Sequence, residues 1–254
     1  MESRIQHTLQ ELERKHGVKV LYACETGSRA WGFASPDSDY DVRMIYMHPI
    51  DWYLSLSEKK DSIEFMSDDG ELDITGWDIR KCLKLMWKSN GALLERVQSP
   101  VVYHEEQDVA ALLKSYADRC FAPIATMHHY LGMARNSFND VEGKEDVKLK
   151  KLFYALRATL ACKWILEKST VPPIVFATMV DELHFDENLK QRIRALVQLK
   201  SGKTEAYIHP AETALNTFIS QELRMAGAAF DSLPGRKERE VDLDTLFRNL
   251  VKTF

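Results

Sequence analysis

Thr26-Gly27-Ser28-Arg29-Ala30-Trp31-Gly32-Phe33-Ala34-Ser35-Pro36-Asp37-Ser38-Asp39-Tyr40-Asp41-Val42-Arg43 is the stretch on which the reading of the whole chain turns. Its Gly-Ser pair closes an apolar run and starts a short helix, with Ser28 as a cap. A turn at Pro36 follows, and Asp39 and Asp41 then open a second apolar run. Alternate residues of a strand share a face, so Asp39 and Asp41 are expected to project side by side. Carboxylates held that close repel, and a cation, a proton or an arginine relieves them. Hard oxygen donors favour magnesium or manganese. Taken alone, D-x-D fits a turn after Pro36 equally well, so its meaning depends on what flanks it.

Upstream, residues 2–15 form an amphipathic helix on Ile5, Leu9 and Leu12, with Gly17 as its stop, and Val18 to Cys24 reads as a buried strand. Asp41 to Met47 reads as a central strand, with Val42, Met44 and Tyr46 on one face. Asp41, Arg43 and Ile45 lie on the other, where Arg43 is placed to compensate Asp41. Asp68-Asp69-Gly70 predicts a hairpin turn, and Glu71 to Thr75 a third strand that carries Asp73. Gly76 is expected to separate that strand from a helix begun by Asp78, with Ile79, Cys82, Leu83 and Met86 as its apolar stripe. Glu71 and Asp78 compete with Asp73 as the third acid of a site, but capping accounts for Asp78. Asn90-Gly91 ends this helix, residues 92–98 form another, and residues 99–103 are extended.

Beyond about Glu105 the helical period dominates, over residues 107–119, 121–138, 146–168, 173–183, 186–200, 210–229 and 242–252. The expected fold class is therefore α+β. A mixed-sheet domain spans residues 1–104, and an all-helical domain spans residues 105–254. In the long helix, Leu149, Leu152, Phe153, Leu156, Leu160 and Trp164 make the buried stripe. Lys150, Tyr154 and Arg157 share another face, which is either solvated or able to grip a nucleotide through charge, stacking and a bidentate fork.

With 45% apolar and 28% charged residues the chain is an ordinary globular protein. A net charge of -4 argues against broad binding to duplex phosphates and leaves a local basic groove open. The four cysteines, Cys24, Cys82, Cys120 and Cys162, are scattered without a C-x-x-C pair. With a polar N-terminus that shows no signal peptide, they lead us to expect reduced thiols and a cytoplasmic protein. No apolar run reaches the ~18 residues of a membrane span, so no membrane partner is expected.

Strand, Gly-Ser, helix, strand with D-x-D, strand with a third acid: this order makes chemical sense for nucleotidyl transfer. Gly27 and Ser28 offer backbone N–H groups to a triphosphate. Asp39 and Asp41 would hold two metal ions about 4 Å apart. Asp73 would complete one metal's shell and accept the proton of the attacking hydroxyl. Arg29, inside the motif, is the better-placed arginine for phosphate; Lys150 and Arg157 are the candidates in the helical half.

Gly27-Ser28, Arg29, Gly32 and Ser38-Asp39-x-Asp41 together resemble the signature of the DNA polymerase beta-type nucleotidyltransferase superfamily. The expanded run is similar to one branch, the YcgL-type predicted nucleotidyltransferases. Asp73 to Lys81, Asn90 and Glu95 fit that branch, and Tyr154-Ala155-Leu156-Arg157 resembles a further element. Asn90-Gly91 departs from the Asn-Pro common there and leaves the carboxylates untouched. The resemblance implies a mixed sheet with flanking helices and a metal-dependent triad of acids, and it leaves the substrate open. The resulting expectation is an enzyme of the EC 2.7.7 type. With two Mg2+ or Mn2+ ions it moves an NMP from an NTP to an acceptor hydroxyl on nucleic acid (RNA among them), protein or a small molecule. The alternatives are the nucleotidyltransferase-type partner of a toxin–antitoxin pair and a non-catalytic nucleotide-binding module, which would have little need of all three acids.

Overall fold

The computed structural model describes all residues except Lys237, Arg239 and Phe254. Two compact units divide it: Met1–Ala30, Asp39–Cys120 and Glu238–Phe254 make the first, and Trp31–Ser38 with Phe121–Lys237 the second. The expected boundary near residue 104 lies elsewhere on this division. Its reason is packing: the helix that follows residue 104 lies on the sheet of the first unit, and the C-terminal helix returns to that unit.

The first unit holds α1 (Glu2–His16), β1 (Lys19–Glu25), α2 (Gly27–Trp31, ending just across the division), β2 (Tyr40–Met47) and α3 (Ile50–Tyr53). It continues with β3 (Ser62–Met66), β4 (Leu72–Asp78), α4 (Ile79–Trp87), α5 (Gly91–Arg96), β5 (Val102–Glu105) and α6 (Val109–Cys120). Gly17 closes α1 in the left-handed conformation, as the sequence predicts. The strands form one mixed sheet in the order β3-β4-β2-β1-β5, in which only the β2–β4 pairing is parallel.

The strand patterns account for the layers. Ile5, Leu9 and Leu12 of α1 cluster with Val42, Met44, Tyr46, Leu72 and Ile74, so one sheet face is covered by α1. Elsewhere on the sheet, α4 packs on β2 and α6 on β1. Asp78 caps α4, its Oδ1 accepting the Arg80 amide at 2.9 Å. Asn90 does two things: its amide donates to the Leu85 carbonyl at 3.0 Å and closes α4, and its side chain accepts the Leu93 amide and starts α5.

Gly76 departs from its expected place as a separator, because β4 runs through it to Asp78. It pairs with Met44, and a Cβ there would stand 2.5 Å from the Met44 Cε and 2.8 Å from its Cγ. The strand continues because the missing side chain makes room for the neighbouring methionine. Gly76→Ala should therefore cost about 1–3 kcal/mol by overpacking and lower the melting temperature by roughly 3–10 °C, checked by calorimetry.

The second unit holds α7 (Pro123–Asn139), β6 (Asp146–Lys148), α8 (Leu149–Lys168), α9 (Phe176–Glu182), α10 (Glu187–Ser201), β7 (Ile208–Pro210) and α11 (Thr213–Ala229). The last helix, α12 (Leu243–Thr253), belongs to the first unit and packs on α4. The expectation of an all-helical second part is corrected by β6 and β7, which pair antiparallel. At three residues each they are too short to show an alternating pattern. α7, α8 and α11 pack together, and the predicted stripe of α8 is buried throughout. Phe33, from the 31–38 segment, joins this core through Phe153 and Phe176, with ring centroids 4.9 and 5.3 Å away.

Candidate active site

The site is built on the peptide of Asp41, which the end of β1 grips from both sides. The Thr26 amide and hydroxyl donate to the Asp41 carbonyl at 2.9 and 3.0 Å. The Asp41 amide donates to Glu25 Oε1 at 2.7 Å, and the Tyr103 hydroxyl donates to Glu25 Oε2 at 2.5 Å. Gly27 follows with a φ of 63°, and a Cβ there would collide with Asp41 Oδ2. Gly27 is thus needed twice, for its left-handed backbone and for the space it leaves the carboxylate.

Parallel pairing of β2 with β4 sets Asp41 in register with Asp73. Their carboxylates converge on one nitrogen: Arg43 Nη2 lies 2.9 Å from Asp41 Oδ1 and 2.9 Å from Asp73 Oδ2. Arg43 compensates Asp41, as strand alternation predicts, and its guanidinium serves Asp73 as well. Neither competitor stands there. Asp78 is fully buried as a cap and accepts the Tyr53 hydroxyl at 2.7 Å, and Glu71 is exposed near Arg4.

Asp39 lies just before β2, exposed, its carboxylate without a hydrogen bond or ion pair among the described residues. The Arg29 Nε donates to its carbonyl at 3.1 Å, and the Arg29 guanidinium stacks 3.8 Å from the Tyr40 ring centroid. Ser28 is buried at the start of α2, beside Gly27. Asp37 belongs to the turn, both its oxygens accepting the Glu205 amide. Lys81 pairs with Asp61 at 2.8 Å.

Lys150 and Arg157 belong to the second unit. Lys150 Nζ donates to Glu205 Oε2 at 2.5 Å. Arg157 is only 2% exposed, and its guanidinium lies 4.2 Å from the Trp31 ring centroid. It is therefore not on a solvated face: the Trp31 ring holds this cation inside the unit's packing.

Among the described residues, no group of three or more His, Cys, Asp or Glu side chains is arranged to hold a metal ion. Two oxygens from separate carboxylates nevertheless meet at one cationic nitrogen. That is the donor chemistry of a hard divalent cation, and by this test Asp41 and Asp73 fit one. Thiol chemistry has no footing here, since burial pushes Cys24 and Cys82 up to about 12.

Sequence reasoning missed Glu25 and Tyr103. Glu25 ends an apolar strand with nothing beside it to reveal burial, and Tyr103 is 78 residues away. Burial pushes the Glu25 carboxyl above the usual carboxylate range, while the Tyr103 hydroxyl and the Asp41 amide pull it down. A carboxyl raised on folding contributes stability that is present below its unfolded value of ~4.3 and is lost as pH rises through the folded one. Glu25→Gln keeps an acceptor for the Asp41 amide and removes the buried charge. It should raise the melting temperature at pH 7–8, by about 2–4 °C for each kcal/mol gained, and the gain should vanish below about pH 4.

The chain belongs to the RlaP family, described as an RNA repair pathway DNA polymerase beta family, which it matches over residues 1–249. It is 40% identical over 253 residues to the uncharacterized protein YcgL of Bacillus subtilis (strain 168), covering 99% of this chain and 97% of that one. A nucleotidyltransferase-like protein from Exiguobacterium sibiricum 255-15, solved by crystallography, is similar at 13% identity and a TM-score of 0.33, over 90% of this chain and 75% of that one. That likeness is too low to bear on fold or function. No helix among the described residues is long and apolar enough to cross a membrane.

Proposed function

We propose that this protein transfers a nucleoside monophosphate from an NTP to an acceptor hydroxyl, with release of pyrophosphate. The observation that carries this reading is the in-register pair Asp41 and Asp73, whose oxygens converge on one cation beside the Gly27-Ser28 turn. Membership of a polymerase beta family supports the general nucleotidyltransferase role.

Asp41 and Asp73 are the residues that would hold a divalent cation, Mg2+ or Mn2+, and exposed Asp39 is the remaining carboxylate of the motif for the expected second ion. When bound, such ions supply Lewis-acid neutralisation of charge on the phosphates. Gly27 and Ser28 present backbone N–H groups to the triphosphate, and Gly27 lets the chain approach closely. The Asp73 carboxylate takes up the proton of the acceptor hydroxyl, and its fixed place on β4 orients that hydroxyl. Arg29 steadies the Asp39 peptide through its Nε and keeps its guanidinium near the motif.

For the acceptor we favour an RNA hydroxyl, since the family is described by an RNA repair pathway. The test is to incubate the protein with each labelled NTP, Mg2+ or Mn2+, and separate tRNA, other RNA, DNA and lysate-protein acceptors. Label is expected on RNA. Label on protein alone would overturn the acceptor, and absence of both transfer and NTP binding would overturn the function.

A further inference from the structure

Arg43 occupies the one place where Asp41 and Asp73 meet. It does so with both terminal nitrogens. Nη2 bridges the two carboxylates, 2.9 Å from an oxygen of each, while Nη1 donates to the carbonyls of Val42 at 3.0 Å and Asp73 at 3.3 Å. The side chain comes from the same strand and the same strand face as Asp41, two residues on, so it reaches this place without crossing the sheet. Two carboxylates this close need a positive charge between them, and here the chain supplies its own.

We propose that Arg43 is a resident cation which a divalent ion has to displace. Its guanidinium holds Asp41 and Asp73 together in the metal-free protein, and its Nη2 leaves them when the ion enters. This rests on the metal-dependent reading above. The reason is exclusion in space and charge. A nitrogen at hydrogen-bonding distance from both carboxylates fills the point where their oxygens would converge on an ion, and two positive charges in one such gap repel. The Nη1 bonds are made to backbone carbonyls rather than to the carboxylates, so Nη2 can swing away while Nη1 stays anchored as a pivot. Arg43 is therefore a positioning residue. It keeps the carboxylates aimed at a common point and sets how much ion is needed to occupy it.

The experiment is Mn2+ binding to the full chain without nucleotide, read from the electron paramagnetic resonance of free Mn2+. Wild type, Arg43→Gln, Arg43→Lys and Asp41→Asn are compared, with circular dichroism as the check on folding. Arg43→Gln is expected to bind Mn2+ at least about tenfold more tightly than wild type, because the competing charge is gone. Arg43→Lys keeps a cation and should remain within about threefold of wild type. Asp41→Asn should abolish the tight binding. Wild-type binding that depends on Asp41, with Arg43→Gln no tighter, would overturn the displacement while leaving the metal reading in place. Absence of Mn2+ binding in wild type and Arg43→Gln alike would overturn both. Should Arg43→Gln fail to fold, the wild type carries the test: in 15N-arginine-labelled protein, the Arg43 Nε–H resonance, assigned by its absence from Arg43→Lys, should shift on titration with Mg2+. An unmoved resonance in protein that binds Mg2+ would exclude displacement.

Discussion

Asp41→Asn should lower nucleotidyl transfer by about a thousandfold while leaving the fold intact. The charge that the substitution removes is one of the two whose oxygens meet beside the Gly-Ser turn. Lewis-acid stabilisation of the transition state is worth several kcal/mol, and each 1.36 kcal/mol is roughly tenfold in rate. The fold survives because what anchors this residue is its peptide. Thr26 and Glu25 bond its carbonyl and amide, and an asparagine keeps both bonds. Arg43 retains Asp73 as its ion-pair partner, so the stability lost should stay near 1 kcal/mol. Asp73→Asn should behave alike. The measurement is the initial rate of label transfer beside a thermal melt. A rate within tenfold of wild type would remove Asp41 from the chemistry, and a collapsed melt would make it a structural residue.

Gly27→Ala should damage the same site without touching a charge. The residue has a φ of 63°, and placing a Cβ in that conformation costs about 1–2 kcal/mol. The added carbon also meets Asp41 Oδ2, so either the carboxylate turns away from Asp73 or the turn shifts outward. Both outcomes spoil alignment, and a misplacement of about 1 Å costs roughly a hundredfold in rate. Transfer should therefore fall by about a hundredfold, with a melting temperature lower by about 2–8 °C. Gly32→Ala is the control: its φ is 87° and a Cβ there meets nothing within 4 Å. It should show the loss of stability with little of the loss of rate. Equal losses of rate in the two variants would show that the turn's backbone matters and its contact with Asp41 does not.

What could be read from the chain by inspection was local. The β1, β2 and α4 patterns, the Gly17 stop, the Asp78 cap and the 68–70 hairpin turn are written in periodicity and turn chemistry, and the structure has all of them. Gly76 was misread because a glycine next to a helix start looks like punctuation. Its reason is Met44, a residue of another strand. β6 and β7 were missed because three residues carry no period.

The sequence by itself supplied the residues on which the proposed chemistry rests: a Gly-Ser pair, a D-x-D run and a third acid at 73 are residue types at fixed spacing along one chain. It also determined the α+β class, since strand and helix periods are local properties. Only the tertiary structure decided which carboxylates meet. The parallel register of β2 on β4 brings Asp41 to Asp73 and so gives Arg43 its second carboxylate, and burial hides Glu25 behind Tyr103. It also set the Arg157 guanidinium over the Trp31 ring. Such outcomes depend on pairing and burial between residues far apart in sequence, and no local pattern encodes them.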